Sequence, residues 1–129
     1  MREYTDYYEI NLYNKALKAF KVGQPRPRLV IRCAYLIGTK LQSTNCNFAN
    51  MRFAYLVGTE LRGAKMRFAD LYKADLRFAK LQGADLRGAV MNFADLQGAD
   101  IGNAKFDERT VLPDGTKWTP EVDMAKFTN

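Results

Sequence analysis

Residues 64–88 read AKMRF-ADLYK-ADLRF-AKLQG-ADLRG, with an alanine every five residues and a large apolar residue two positions after it. The spacing continues in both directions, since each fifth residue from 34 to 104 is alanine or threonine. Neither the period of an amphipathic helix nor that of a half-buried strand fits this pattern. A repeat of five residues therefore organises the chain. Its fixed alternation of small and large residues places both in one narrow interior.

The chain resembles the pentapeptide-repeat family, whose units follow the pattern Ala-Asp/Asn-Leu-x-x. Units such as Ala69-Asp70-Leu71 and Ala84-Asp85-Leu86 carry the resemblance. Fifteen units run from Ala34 to Phe106, with a degenerate sixteenth at Leu29–Ile31. The resemblance implies an all-β fold, a right-handed quadrilateral parallel β-helix of about twenty residues per coil. It would have about four coils here, with short helical N- and C-terminal caps.

The sequence before the repeats, residues 1–28, predicts an N-terminal helix and a Pro-rich connector. Asp6 suits a helix N-cap, and two prolines in residues 24–28 exclude helix. One apolar stripe would follow the helix: Ile10, Tyr13, Leu17 and Phe20.

Residues 29–106 are predicted to form the repeat β-helix, and residues 107–129 a C-terminal cap. In the cap, the Pro-Asp-Gly sequence at 113–115 predicts a turn, and Thr119 is the expected N-cap of a short helix. Solenoids need caps because an open end exposes apolar side chains and unpaired backbone groups.

A coil of twenty residues makes residues twenty positions apart neighbours, as across a sheet. Two outward series support this spacing because their charges alternate along it. Exposed ion pairs contribute only about 0–1 kcal/mol each, so the ladders would mainly fix the register. The two series are Lys40, Glu60, Lys80 and Asp100, and Asn45, Lys65, Asp85 and Lys105.

Composition excludes several functional classes. The 129 residues carry a net charge of +6, of which residues 1–28 contribute +3, residues 29–106 +5 and residues 107–129 −2. The charge is spread along the sequence, without the run of five or so like charges that is typical of a nucleic-acid tail. No stretch is apolar enough for a transmembrane segment. With only two cysteines, a cytoplasmic protein is the expectation. A targeting signal removed earlier would leave the same sequence.

Tyr35, Ile37, Tyr55 and Val57 are predicted to share one side of the first two coils, where outward positions are otherwise mostly polar. We call this set the tyrosine face. Two interpretations stay open. The striped N-terminal helix could fold back over it, or it could be the docking surface for a partner.

Phe48, Phe68, Arg67 and Arg87 are predicted to form a second surface, the basic–aromatic patch. The ordinary interpretation is solvated corner decoration, since corner phenylalanines are common in the family's pattern. The alternative is a site for a nucleic acid or an acidic partner.

The sequence predicts no catalytic, cofactor-binding or metal-ligating residues. There is no histidine, which removes the commonest general base and metal ligand. Cys46 occupies a large-residue position and is expected to fill the core. The family's Asp positions are expected to form turns and ladders rather than paired catalytic carboxylates. They are Asp70, Asp75, Asp85, Asp95 and Asp100.

The function favoured by these observations is a non-enzymatic protein-interaction or scaffold module, a rigid rod that binds another protein of unknown identity. Similar small proteins are frequent in cyanobacteria. A homodimer through a terminal cap is the oligomer that this interpretation allows.

Two alternatives remain. The family's best-known role is mimicry of DNA to bind gyrase and other type II topoisomerases, but that role depends on a strongly acidic rod, and here the repeats carry +5. Direct nucleic-acid binding is permitted by the charge and the patch. Because the ladders neutralise much of the surface, a nucleic acid is the less favoured partner.

Overall fold

The structure, a computed structural model, describes residues 29–129. The predicted N-terminal helix and connector, residues 1–28, lie outside the described residues.

In the repeat region, strand structure is reduced to one paired residue per pentapeptide, and each pairs in parallel with the residue twenty positions further on. The predicted pairing at a spacing of twenty is therefore confirmed. The paired residues form four columns, which we call faces 1 to 4. Face 1 contains Val30, Asn50, Asp70 and Val90; face 2 Tyr35, Tyr55, Asp75 and Asp95; face 3 Lys40, Glu60, Lys80 and Asp100; face 4 Asn45, Lys65, Asp85 and Lys105.

Backbone hydrogen bonds join each circuit of the chain to the next. The Leu36 N–H donates to the Tyr55 carbonyl at 2.9 Å, and the Tyr55 N–H donates to the Ala34 carbonyl at 2.8 Å. A second, local bond links each unit to the next along the chain. The carbonyl of the large residue accepts the N–H of the following small residue, as Leu36 does from Thr39 at 3.1 Å. This local bond bends the chain at the end of every unit, so the strands stay short and the chain winds as a parallel β-helix.

The interior is filled by the small and large positions, as predicted. Leu56, Leu61 and Leu76 are fully buried, and the alanines between them leave room for their side chains. Threonine replaces alanine without leaving a buried hydroxyl unpaired. Thr59 Oγ1 donates to the Leu36 carbonyl at 2.7 Å.

Two corner residues link successive faces, and we name each corner by the faces it joins. Corner 1-2 contains positions 32–33, 52–53, 72–73 and 92–93, corner 2-3 the positions five later, corner 3-4 those ten later and corner 4-1 those fifteen later. The second corner residue has a positive φ, between 54° and 73°, at every corner from Cys33 to Asn103. Left-handed backbone suits glycine, which explains the glycines that end many units.

The charge ladders have the predicted register, but their ion pairs differ from the prediction. On face 3, Lys80 Nζ lies 3.5 Å from Glu60 Oε1. On face 4, Asp85 instead binds Arg87, two residues further along the same circuit, at 2.6 Å and 2.8 Å. A planar guanidinium that can bind both carboxylate oxygens outcompetes a flexible lysine on a neighbouring circuit.

The repeat continues for one unit past Phe106, the last unit that the sequence predicted. Thr110 takes the small position, Val111 pairs with Val90 on face 1, and Leu112 takes the large position and is fully buried. One extra residue precedes this unit, so a search at a fixed spacing of five misses it.

The predicted turn at residues 113–115 closes a hairpin in which Val111 pairs antiparallel with Lys117. Gly115 adopts a φ of 86°, and the Leu112 N–H donates to the Thr116 carbonyl at 2.8 Å. Beyond the hairpin, the Trp118 ring stacks on Phe106 with centroids 6.1 Å apart.

Helix α1 spans Ala125–Thr128, so the predicted start at Thr119 was wrong. The Thr119 carbonyl instead accepts the Val122 N–H in a separate turn at 3.1 Å. Asp123 Oδ1 accepts the Ala125 N–H at 3.0 Å, where the helix begins. Val122, Met124 and Phe127, the apolar residues of this segment, pack against the core.

Candidate interaction surfaces

The tyrosine face is brought together by the twenty-residue register. The Tyr35 and Tyr55 rings stack in parallel, with centroids 4.5 Å apart and 10° between their planes. Tyr35, Tyr55 and Ile37 are 42%, 40% and 50% exposed, and Val57 beside them is half-buried. The result is a flat apolar strip on face 2 and corner 2-3. Its role as a docking surface stays a prediction.

A groove of about 410 Å³ extends the tyrosine face around corner 1-2. Arg32, Cys33 and Phe53 line it together with the two tyrosines. The Arg32 guanidinium lies 5.4 Å from the centre of the Phe53 ring. The groove therefore joins an apolar floor to one cationic group.

The basic–aromatic patch is partly assembled as predicted, at corner 4-1. Phe48 and Phe68 stack with centroids 5.2 Å apart, and the Arg67 guanidinium lies 6.0 Å from the Phe68 ring. Arg87 differs from the prediction of a free basic group, because its guanidinium is bound by the Asp85 carboxylate. A groove of about 250 Å³ lies between Asn47, Phe48, Arg67 and Phe68.

Arg109 belongs to the same patch and was not among the predicted residues. Its guanidinium lies 4.8 Å from the Phe68 ring, and Asp107 binds it at 2.6 Å. The signal was present in the sequence: Asp107-Glu108-Arg109 repeats the Asp-x-Arg order of residues 85–87.

A column of aromatic and basic residues along corner 1-2 was also missed. Phe53 meets Tyr72 edge-to-face at 5.7 Å, and Tyr72 meets Phe93 in the same way at 5.7 Å. Lys73 Nζ lies 5.6 Å from the centre of the Tyr72 ring, and the Arg52 guanidinium lies 4.5 Å from the centre of the same ring. These residues are about twenty apart, so sorting the corner positions by register would have found them.

The outward aspartates close the corners, in agreement with their predicted turn role. Asp75 Oδ1 and Asp95 Oδ1 each accept the backbone N–H two residues on, at 3.2 Å and 3.0 Å. The side-chain hydrogen bond from Arg77 lowers the pKa of Asp75, and that from Arg87 lowers the pKa of Asp85. The Asp75 and Asp85 carboxylates are thus engaged in structural bonds, and the shift moves their pKa values further from the neutral range that suits a general acid or base.

Cys46 fills the core as predicted, and burial raises the pKa of its thiol to about 12. It is therefore an unreactive thiol. Within residues 29–129, no group of three or more potential ligands could hold a metal ion. No helix in that same range combines the length and apolar character needed to cross a membrane.

Residues 31–67 and 69–107 match the family described as pentapeptide repeats, in eight copies. Because the match covers more than half of the chain, the protein belongs to the pentapeptide-repeat family, and its fold is of the right-handed β-helix type. Pentapeptide-repeat proteins are generally structural or interaction modules.

Several solved pentapeptide-repeat structures are similar to this chain. HetL, from the cyanobacterium Nostoc sp. strain PCC 7120, is described as involved in regulation of heterocyst differentiation; it shares 23% identity over 69% of this chain and 51% of its own, with a TM-score of 0.45. A thylakoid-lumen protein of Arabidopsis thaliana shares 29% identity over 72% of this chain and 66% of its own, with a TM-score of 0.47. Another Nostoc PCC 7120 protein shares 28% identity over 93% and 89%, with a TM-score of 0.41.

The matched region spans about half the length of HetL. A comparison with curated protein sequences found no match.

Proposed function

We propose that this protein is a non-enzymatic scaffold, a rigid rod that binds another protein through the tyrosine face. The observation that supports this best is the stacked pair Tyr35 and Tyr55 beside Ile37, all of them exposed by two-fifths or more. Aromatic side chains are enriched in protein interfaces, where they bury a large area at little cost in conformational entropy.

We infer that the four faces enclose a quadrilateral solenoid of about four coils. On this proposal, residues 107–129 cap one end through Trp118 and α1. Hydrogen bonds between successive circuits and a filled interior support rigidity. A rod of this kind presents its outward side chains at fixed spacings, which is what a scaffold needs.

The proposal places the protein in the cytoplasm, and the supporting observation is that Cys33 and Cys46 are both free. The partner is a protein of unknown identity. Among the described residues, the outward carboxylates serve turns and ion pairs, which supports a binding role rather than catalysis.

The test is affinity purification from the native host with three full-length proteins: the natural chain, the double variant Tyr35→Ser/Tyr55→Ser, and Phe93→Ser. Phe93 is the matched control, because it is 67% exposed on corner 1-2, outside the tyrosine face. We expect the natural chain and the control to retain the same partner and the double variant to lose it.

Thermal midpoints of the three proteins complete the experiment. Equal midpoints with loss of the partner support the proposal. If the double variant retains every partner, the tyrosine face is not the docking surface. If its midpoint alone falls, the face is a contact within the chain.

A further inference from the structure

The net charge of the repeat region is confined to one half of the rod. Residues 29–106 contain eleven basic and six acidic side chains. In the observed register, seven of the basic and two of the acidic residues lie on faces 4 and 1 with corners 4-1 and 1-2, which gives +5; Asp107, Glu108 and Arg109 continue corner 4-1 and bring this half to +4. The other half carries four of each and is neutral. The basic half holds Arg32, Arg52, Lys65, Arg67, Lys73, Arg87 and Lys105, with Asp70 and Asp85.

Part of this positive charge is left uncompensated. Asp70 binds Arg52 at 3.4 Å, and Asp85 binds Arg87 at 2.6 Å. Among the described residues, no carboxylate pairs with Lys65, Lys73 or Lys105, and all three side chains are exposed. The basic half therefore carries a net positive charge that attracts anions, whereas the other half of the repeat surface is neutral.

Aromatic rings are interleaved with these cations. Phe93 is 67% exposed at the end of the corner 1-2 column, and Lys73 Nζ lies 6.0 Å from its ring. On corner 4-1, Phe48 is 46% exposed beside the groove that Arg67 lines. Both corners thus present flat π surfaces next to positive charge.

Face 1 lies between these two corners and carries only short outward side chains. Asn50, Asp70 and Val90 are flanked by the longer arginine, lysine and aromatic side chains of corners 4-1 and 1-2. Face 1 is therefore bordered on both sides by cations and aromatic rings.

We propose that the basic half binds single-stranded nucleic acid. The phosphates lie against Lys65, Lys73 and Lys105, and unpaired bases stack on Phe93 and Phe48. Exposed rings favour a single strand over a duplex, whose bases are already stacked, and over an acidic peptide, which has no bases to stack. Along the sequence the positive charge is spread out, which made a nucleic acid the less favoured partner. In the folded chain the same charge is concentrated on one half of the repeat surface.

The tyrosine face lies on face 2 and corner 2-3, in the neutral half, and none of its residues is among the proposed phosphate or base contacts. The inference goes beyond the scaffold function, and either proposal can fail without the other.

The test measures the fluorescence anisotropy of a labelled twelve-nucleotide oligothymidine with the full-length protein at low salt. The triple variant Lys65→Gln/Lys73→Gln/Lys105→Gln is compared with Lys40→Gln/Arg62→Gln/Lys80→Gln, whose residues lie on face 3 and corner 3-4. Both triples remove three cations, so they have the same net charge. We expect the first triple to weaken binding about ten-fold or more and the second less than three-fold, because only the first removes phosphate contacts.

Phe93→Ala and Phe78→Ala form a second matched pair, since both rings are exposed on corners and both residues have a positive φ, 60° and 59°. We expect about five-fold weaker binding for the first and no change for the second. If Lys73→Gln lowers the thermal midpoint, two double variants replace the triples. The binding of Lys65→Gln/Lys105→Gln is then compared with that of Lys40→Gln/Arg62→Gln.

Salt dependence gives a further readout. Three neutralised phosphates predict a slope of log K against log salt of about −2, which the first triple should flatten. Three results would overturn the proposal: no binding at low salt, equal weakening by both triples, or equally tight binding of a duplex or of polyglutamate with no effect of Phe93→Ala.

Discussion

Single residues at the corners decide how closely successive circuits can approach. Gly38 and Gly88 both have a positive φ, 68° and 71°, but their surroundings differ. A methyl group on Gly38 would meet nothing within 4 Å, whereas one on Gly88 would lie 2.5 Å from the Phe68 ring. Phe68 therefore packs directly on Gly88, which explains why a glycine is needed there beyond its backbone conformation.

Gly88→Ala should destabilise the protein more than Gly38→Ala. Both variants place alanine in left-handed backbone, which costs about 1–2 kcal/mol. Gly88→Ala must also displace Phe68 from its stack with Phe48, which adds about 1–3 kcal/mol. Chemical denaturation of both variants measures the difference.

The Phe68→Ala background is the control for this comparison, since the ring that meets the new methyl group is then absent. The excess cost of Gly88→Ala should vanish there. Equal costs for the two glycine variants in the natural background would contradict the packing account.

At the scale of one pentapeptide, the Asp-x-Arg sequence stabilises a corner through two sets of hydrogen bonds, one to the arginine backbone and one to its side chain. The Asp75 carboxylate accepts the backbone N–H of Arg77 at 3.2 Å and also binds its guanidinium through both oxygens at 2.8 Å. Asp85 makes the same set of contacts with Arg87. These local bonds hold the turn between faces and keep both groups charged.

Asp107 and Asp114 also have lowered pKa values, so the pH dependence of stability should reflect Asp75 and Asp85 in part. Their pKa values are lower in the folded chain than the unfolded value of about 3.9, because their arginine partners favour the charged form. Their stabilisation is therefore fully present above pH 4 or so and is lost as the pH falls through the folded pKa values. Denaturant midpoints measured between neutral and acidic pH test this expectation.

Asp75→Asn/Asp85→Asn should flatten the acid limb of this profile and leave a smaller, pH-independent loss. Asp95→Asn is the control, because Asp95 accepts the backbone N–H of Gln97 and forms no ion pair within residues 29–129. An acid limb that survives unchanged in the double variant would show that other carboxylates set it.

Much of this element could be predicted from the sequence, and the exceptions have physical causes. The five-residue period marks the interior unambiguously, because small and large residues must alternate there. The ion pairs could not be assigned from the sequence. Asp85 has Lys65 and Lys105 beside it on the neighbouring circuits and Arg87 two residues further along its own circuit. The unit at Thr110–Leu112 was hidden by one extra residue, and the start of α1 by a separate turn in which the Thr119 carbonyl accepts the Val122 N–H.

For the whole molecule, the twenty-residue circuit determines what the surface can do. It gathers the tyrosine face on one half and the net charge of the repeats on the other. Two patches could be predicted from the sequence because their residues stand out individually. The charge segregation and the corner 1-2 column could not be recognised until every position was assigned to a face.

Two insertions of repeat sequence test the circuit most directly. Duplicating residues 69–88 adds twenty residues and returns every later residue to its own face. Duplicating residues 69–73 adds five and moves every later residue by one face. The interior accepts either insertion, but the shorter one places Glu60 beside Asp75 and Lys65 beside Lys80. Like charges directly opposite each other destabilise by about 0.2–1 kcal/mol per pair.

The free energy of unfolding of both insertion variants, at low and at high salt, is therefore the decisive measurement. We expect the twenty-residue variant to be at least as stable as the natural chain. The five-residue variant should be less stable at low salt, with a deficit that shrinks as salt screens the new repulsions. Equal stability of the two variants at low salt would contradict the twenty-residue circuit and, with it, the assignment of every surface to its face.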